Sequence, residues 1–149
     1  MNVSLDSSLV LDLCAGALAP ESAASADALL QSAQLSISAL TLEELLRFPH
    51  RAGDSERGRA IAADLLLFCQ AVFVRSMDRT LAADVAALWA QARAKGKTSE
   101  TVDTLIAREA RAAGCVLATS DLSQSRYVAV SFGDEWVWVA SRATADAAR

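Results

Sequence analysis

The sequence lacks most of the residues on which catalysis commonly leans. Its one histidine, His50, sits in the polar stretch FPHRAGDSERGR. A histidine-built metal cage or a Ser-His-Asp triad would have to draw on that single ring. Its three cysteines, Cys14, Cys69 and Cys115, are far apart and make no CxxC pair. That excludes a zinc knuckle or a disulfide framework and leaves buried, reduced thiols in apolar surroundings. Two prolines and six glycines in 149 residues favour helices over a sandwich or barrel. No apolar run approaches the roughly 20 residues that span a bilayer, and no basic n-region with an apolar stretch opens the chain. The expected location is the cytoplasm, with no membrane contact. A positive surplus is missing too. With 14 Lys and Arg against 18 Asp and Glu, the net charge is −4, which at first argues against a nucleic-acid ligand.

What is present is a chain that is 53% hydrophobic and 21% charged, enough to bury a core as one domain over residues 1–149. Residues 2–5 read as a strand, and Ser7 or Ser8 caps a helix to about Ala15. A helix over 21–32 precedes the alternation of SAQLSISAL, and TLEELLRF is a short helix stopped by Pro49. A loop over 49–58 leads into a long helix over 56–69. AVFVRSM is strand-like, Asp78 caps a helix to about Ala94, and a turn at KGKTS opens a helix over 100–112. Gly114 leads to a strand over 115–119. YVAVSF and EWVWVAS, around GD, read as two short strands and a turn, with RATADAAR as a frayed tail or a last helical turn. Strands alternating with helices predict βαβ units, a mostly parallel sheet and helices on both faces.

Two strand-like runs more than a hundred residues apart both end on an aspartate, Asp6 and Asp121. Open α/β sheets bind ligands outside the carboxyl ends of their strands, so neighbouring strands would bring the two carboxylates into one crevice. Asp103 heads the stripe Asp103, Ile106, Ala107, Ala110 and shares the inward face of its helix. Glu44 follows the strand-like ISAL. Four carboxylates in one cleft repel, and a hard divalent cation relieves them. Oxygen-only ligation suits Mg²⁺ or Mn²⁺, and two such ions can drive phosphodiester cleavage. Each acid also has a plainer reading: Asp6 as a helix cap, Thr41-x-x-Glu44 as a capping box, Asp103 as a first-turn acid, Asp121 as a turn starter. Asp12, Glu43, Asp78 and Asp84 read as ordinary solvated or capping acids.

Together, LDSSLVLDL, ISALTLEELLRF and TVDTLIAREARAAGCVLATSD resemble the PIN-domain ribonucleases, especially the toxins of bacterial VapBC-type toxin–antitoxin pairs. The resemblance covers residues 3–121. It rests on Asp6, Ser7 and Ser8; on Thr41, Glu44 and Leu45; on Asp103, Leu105, Ile106 and Ala107; and on Thr119 and Asp121. It implies a PIN-like three-layer α/β/α fold and Mg²⁺- or Mn²⁺-dependent cleavage of RNA. The implied metal ligands and catalytic residues are Asp6, Glu44, Asp103 and Asp121, with Ser7 and Thr119 supporting them. It also implies a cognate antitoxin that wraps the chain, and a homodimer. Three features depart from the family: Ser120 stands where Arg is common, DLSQSRYV replaces Asp-x-x-Phe, and VAVSFGDEWVWVAS is longer.

The charge objection weakens once the four acids are set aside, because 18 less 4 equals the 14 Lys and Arg, and bound cations neutralise the cleft. Arg93, Lys95 and Lys97 are candidate phosphate contacts, as are Arg47, Arg51, Arg57 and Arg59; a solvated turn is the alternative. A non-cleaving PIN-like module that binds RNA or protein is the second reading. A phosphoacceptor receiver domain is the third, but it expects paired acids after its first strand and a lysine after its last, and neither occurs. Trp136 and Trp138, at alternate positions, and LLLFCQAVFV are expected to fill core, with a dimer or antitoxin surface as the alternative for the Trp pair. The helices over 21–32 and 56–69 are expected to offer an apolar groove to the antitoxin.

Overall fold

Residues 1–96 and 101–143 are described by the structure, a computed structural model. Lys97 therefore lies outside the described residues. The chain runs β1 (Asn2–Leu5), α1 (Ser7–Ala15), α2 (Pro20–Ser32), β2 (Gln34–Ser38), α3 (Ala39–Arg51), α4 (Glu56–Ala71), β3 (Phe73–Arg75), α5 (Arg79–Ala94), α6 (Val102–Ala112), β4 (Val116–Thr119), α7 (Leu122–Phe132), a 3-10 turn (Asp134–Trp136) and β5 (Val137–Val139). The five strands form one parallel sheet in the order β3-β2-β1-β4-β5. From β1 the chain winds outward through β2 and β3, then returns to the other side of β1 for β4 and β5. The direction of winding therefore switches between β1 and β4.

Each strand of the centre puts alternate residues on opposite faces. On one face Val3, Leu5, Ile37 and Ala118 pack with Leu9, Val10, Leu29, Leu45 and Leu65 from α1 to α4. On the other, Leu117 and Cys115 pack with Ile106, Ala107 and Ala110 of α6 and Val128 of α7. Between them on this second face lie Ser4, Ser36 and Ser38, all buried. The edge-strand Arg75 bonds Ser36 and reaches Ser4 at 3.0 Å, and its guanidinium lies 3.7 Å from buried Glu109 of α6.

Three expectations are corrected. Pro49 does not stop its helix, which continues to Arg51. In the last turn the ring removes only one intrahelical donor, and the Ala52 amide still bonds the Phe48 carbonyl. The interhelical loop is accordingly shorter than 49–58. Nor do YVAVSF and EWVWVAS form two strands around a turn. YVAVSF lies within α7, where Asp121 caps the helix and Gln124, Val128 and Ser131 are buried at i, i+4, i+7 spacing. Polar residues occupy that buried stripe, so the short β-branched run dominated the pattern. Because a helix intervenes, β5 joins the sheet parallel to β4. Finally, the two tryptophans do not share one face. Trp138 packs against the first core and Trp136 against the second, with the Arg111 guanidinium 3.7 Å from the Trp136 ring centroid. Among the cysteines, Cys115 is buried, whereas Cys14 and Cys69 are half-buried; all three are free thiols.

Candidate functional site

Asp6 leaves β1 at the switch point. Its amide donates to the Ala118 carbonyl of β4 at 2.9 Å, which ties the two strand ends together. Its carboxylate caps α1 by accepting from the Ser8 amide (3.1 Å) and hydroxyl (2.6 Å). It also accepts from the Thr119 hydroxyl at 3.2 Å and the Gln124 side-chain amide at 3.3 Å. Capping and the crevice are therefore not alternatives for this residue. Asp6 does both, and it is almost fully buried.

The capping-box reading of Glu44 does not survive. Ser38, not Thr41, caps α3, and its hydroxyl accepts from the Thr41 amide at 2.9 Å. This frees Glu44 to turn toward α1, where it accepts from the Ser7 hydroxyl at 2.9 Å. Burial raises the Glu44 carboxyl above its ordinary range, the Ser7 hydrogen bond opposes this, and the charges of Asp6 and Asp103 raise it further. Asp103 stands in the first turn of α6, but the cap is Thr101, paired reciprocally with Thr104. Its carboxyl is raised by burial and then by Asp6 and Asp121. Asp121 follows β4 and caps α7 through the Ser123 and Gln124 amides. Burial raises its carboxyl, yet bonds from Ser123 and from the two amides, together with the Arg142 charge, outweigh that and hold it below its ordinary value. The Thr119 hydroxyl accepts from the Asp121 amide at 3.0 Å. Gln124 joins the set by donating to both Asp6 and the Asp103 carbonyl, at 3.1 Å for the latter.

The four acids are thus linked electrostatically through Asp103, which senses Asp6 and Asp121 and acts with Asp6 on Glu44, and Ser7 and Thr119 support them. They do not form a closed cage. Among the described residues no three His, Cys, Asp or Glu side chains stand close enough together to ligate one ion. Asp6 and Asp121 are instead engaged by hydroxyls and amides and Glu44 by the Ser7 hydroxyl, while the neighbours of Asp103 are carboxylates that repel it. The donor chemistry suits a hard cation, and the raised Glu44 and Asp103 carboxyls are those that a cation would bring back to the charged state. Ligation requires the side chains to draw inward.

Lys95 is elsewhere. Its ammonium donates to the Ser131 carbonyl at 2.7 Å, in the last turn of α7, roughly 15 Å along the helix from Asp121 at 1.5 Å per residue. Arg93 stacks over Trp89. In the other basic group, Arg47 pairs with Glu43 and Arg57 bonds the Ala15 carbonyl. The residues that sequence reading passed over are Asp12, Gln124 and Arg142. Arg142 donates to Asp12 at 2.6 Å, and the Ser120 hydroxyl bonds the same oxygen. The available signal was Asp12 itself, four residues after Ser8 on an otherwise apolar helix, hence on the crevice side.

The sequence matches the PIN domain over residues 3–130. The chain belongs to the PIN domain family. Three solved structures have similar folds. One is VapBC-1 of nontypeable Haemophilus influenzae, with 21% identity over 86% of this chain and 92% of that one, at a TM-score of 0.62. Another is VapBC2 of Rickettsia felis bound to a promoter DNA fragment, with 17% identity, 96% and 100% coverage and a TM-score of 0.65. The third is FitAcB of Neisseria gonorrhoeae, with 22% identity, 92% and 95% coverage and a TM-score of 0.63. No curated protein matches the sequence. No helix among the described residues of this PIN domain is long and apolar enough to cross a membrane.

Proposed function

We propose that this PIN domain, one unit over residues 1–149, is a Mg²⁺- or Mn²⁺-dependent endoribonuclease and the toxin of a toxin–antitoxin pair in the cytoplasm. One observation carries the reading: four carboxylates gather at the switch point, and Glu44 and Asp103 are pushed toward protonation by burial and then by the neighbouring acids. Asp6, Glu44, Asp103 and Asp121 are the residues that would hold the ions. When bound, the ions supply activation of a water and charge stabilisation at the leaving oxygen of the phosphodiester. Around them, Ser7 orients Glu44, and Thr119 orients Asp6 while it receives the Asp121 amide. Gln124 ties Asp6 to the start of α6, so that the β1 and α6 contributions move together.

The proposed antitoxin contact is an apolar trough of about 360 Å³ between α1, α2 and α4. It is lined by Leu13, Leu30 and Phe68 and edged by Asp27 and Asp64. Leu66 and Leu67 stand exposed on α4. An amphipathic segment with basic residues matches that composition, and a homodimer belongs to the same proposal. A second reading, a module that binds RNA without cutting it, is favoured by the absence of a ready-made three-acid cage among the described residues. Incubation of purified protein with single-stranded RNA and Mn²⁺ separates the two. Cleavage by wild type that disappears in Asp6→Asn supports the nuclease, and binding without cleavage supports the module.

A further inference from the structure

Beside the acids, between the start of α7 and the segment after β5, lies a cavity of about 500 Å³. It is lined by Ser120, Asp121, Leu122, Ser123, Ser141 and Arg142, with Ala140 at its base. After β5, residues 140–143 are strapped down, and the rest of the expected frayed tail lies outside the described residues. Arg142 makes an antiparallel bridge to Leu18. The Ala19 amide donates to the Ser141 carbonyl and the Ala143 amide to the Ala17 carbonyl, both at 2.9 Å. The Ser141 amide donates to the Ser22 hydroxyl, also at 2.9 Å. This backbone clamp sets the place from which the Arg142 side chain enters the cavity. There its Nε is held by Asp12, a largely buried carboxylate fixed in turn by Ser120. Its terminal nitrogens have no partner among the described residues, and more than half of the side chain is exposed.

A guanidinium anchored through Nε keeps its two outer N–H groups free in a planar fork, the geometry that matches a phosphate. We propose that Arg142 is a substrate-positioning residue, binding the phosphate that flanks the scissile bond as the RNA strand leaves the acids along this cavity. The inference rests on the nuclease reading, because Asp121 lines the same cavity and would repel a phosphate unless a cation compensates the acids. A nucleic-acid occupant is favoured over a protein one by the polar groups of the lining: three serine hydroxyls and the Arg142 fork stand beside Asp121, with Leu122 and Ala140 as the apolar members.

The test is steady-state cleavage of a single-stranded RNA oligonucleotide in Mn²⁺ across a salt series, for wild type, Arg142→Gln and Arg142→Lys. Arg142→Gln is expected to raise KM about tenfold with kcat within a few-fold. It should also lower the slope of log affinity against log salt by about 0.7, the value of one phosphate contact on a single strand. Arg142→Lys should restore the slope but only part of KM, because it returns the charge without the planar fork. It should also recover the modest fall in melting temperature that Arg142→Gln causes by leaving Asp12 without its cation. If wild type cleaves but Arg142→Gln changes neither KM nor the slope, the inference falls alone. A lower melting temperature with kcat reduced and the slope unchanged would mark a structural role and overturn it. So would unaltered RNA kinetics with weakened binding of a co-expressed antitoxin. If wild type neither binds nor cuts RNA, the proposed function falls and takes the inference with it.

Discussion

Asp103 and Glu109 share helix α6, and burial raises both carboxyls, but the two ends of the helix treat them in opposite ways. Glu109 is inside the fold and has a cation of its own: Arg75 crosses under β2 and β1 to reach it, and Ser38 stabilises its charged form. Asp103 is closer to solvent, and the charges that most affect it are those of Asp6 and Asp121, which repel it. A buried charge without a partner is costly, and the fold supplies one where the acid is structural. At the crevice it supplies hydroxyls and amides instead. The difference is that Glu109 has a countercharge inside the fold, whereas Asp103 has only repelling charges beside it.

The largest effect should come from breaking the Asp103 end. Asp103→Asn is expected to reduce RNA cleavage in Mn²⁺ by orders of magnitude with the fold intact, because one charged ligand is removed from the set. Its melting temperature without metal should match or exceed that of wild type, since a repelling charge is gone. Glu109→Gln on the same helix should leave cleavage within a few-fold. Equal cleavage by wild type and Asp103→Asn would erase the functional contrast between the two ends.

Next in size is the Glu109 end. Arg75→Ala leaves Glu109 buried without its cation and should destabilise the fold by about 3–5 kcal/mol in urea titration. The loss should be larger at pH 8 than at pH 5, where protonation spares the charge. A loss below about 1 kcal/mol at pH 8 would show that Arg75 compensates nothing.

Metal then sharpens the comparison. A cation that binds only the folded state at about one hundred times its Kd stabilises it by roughly 2.7 kcal/mol, so millimolar Mn²⁺ should raise the melting temperature of wild type and of Glu109→Gln but not of Asp103→Asn. A similar shift in all three would place the ion elsewhere.

The smallest effect is the pH linkage of Glu109. Its folded value is raised, so its contribution to stability is fully present below the ordinary glutamate range and is lost as pH rises through the folded value. The stability difference between wild type and Glu109→Gln should therefore move against wild type over that interval, and a flat difference would contradict the raised value.

The sheet and the positions of Asp6, Asp103 and Asp121 near its carboxyl end were legible because their signals are local. Asp6 and Asp121 directly follow short apolar strands, and Asp103 heads a helical stripe. What was not legible is non-local or disguised. Arg142 meets Asp12 across 130 positions of chain, and no spacing rule joins them. Helix α7 buries Gln124, Ser125 and Ser131, so its stripe does not look apolar. The Thr41-x-x-Glu44 spacing leaves a capping box open beside the crevice role, whereas Ser38 takes the cap and Glu44 turns to Ser7. Lys95 stands near Asp103 in sequence, but it serves the opposite end of α7.

The place of β1 at the centre of the sheet also has a temporal consequence. Asp6 is synthesised well before the strand that closes its crevice, β4, which ends at Thr119. At 5–20 residues per second, on the order of ten seconds separates the two. Until then β1 has only β2 beside it, and the acids of the nascent chain cannot meet. Strand order thus delays assembly of the crevice until β4 has been made.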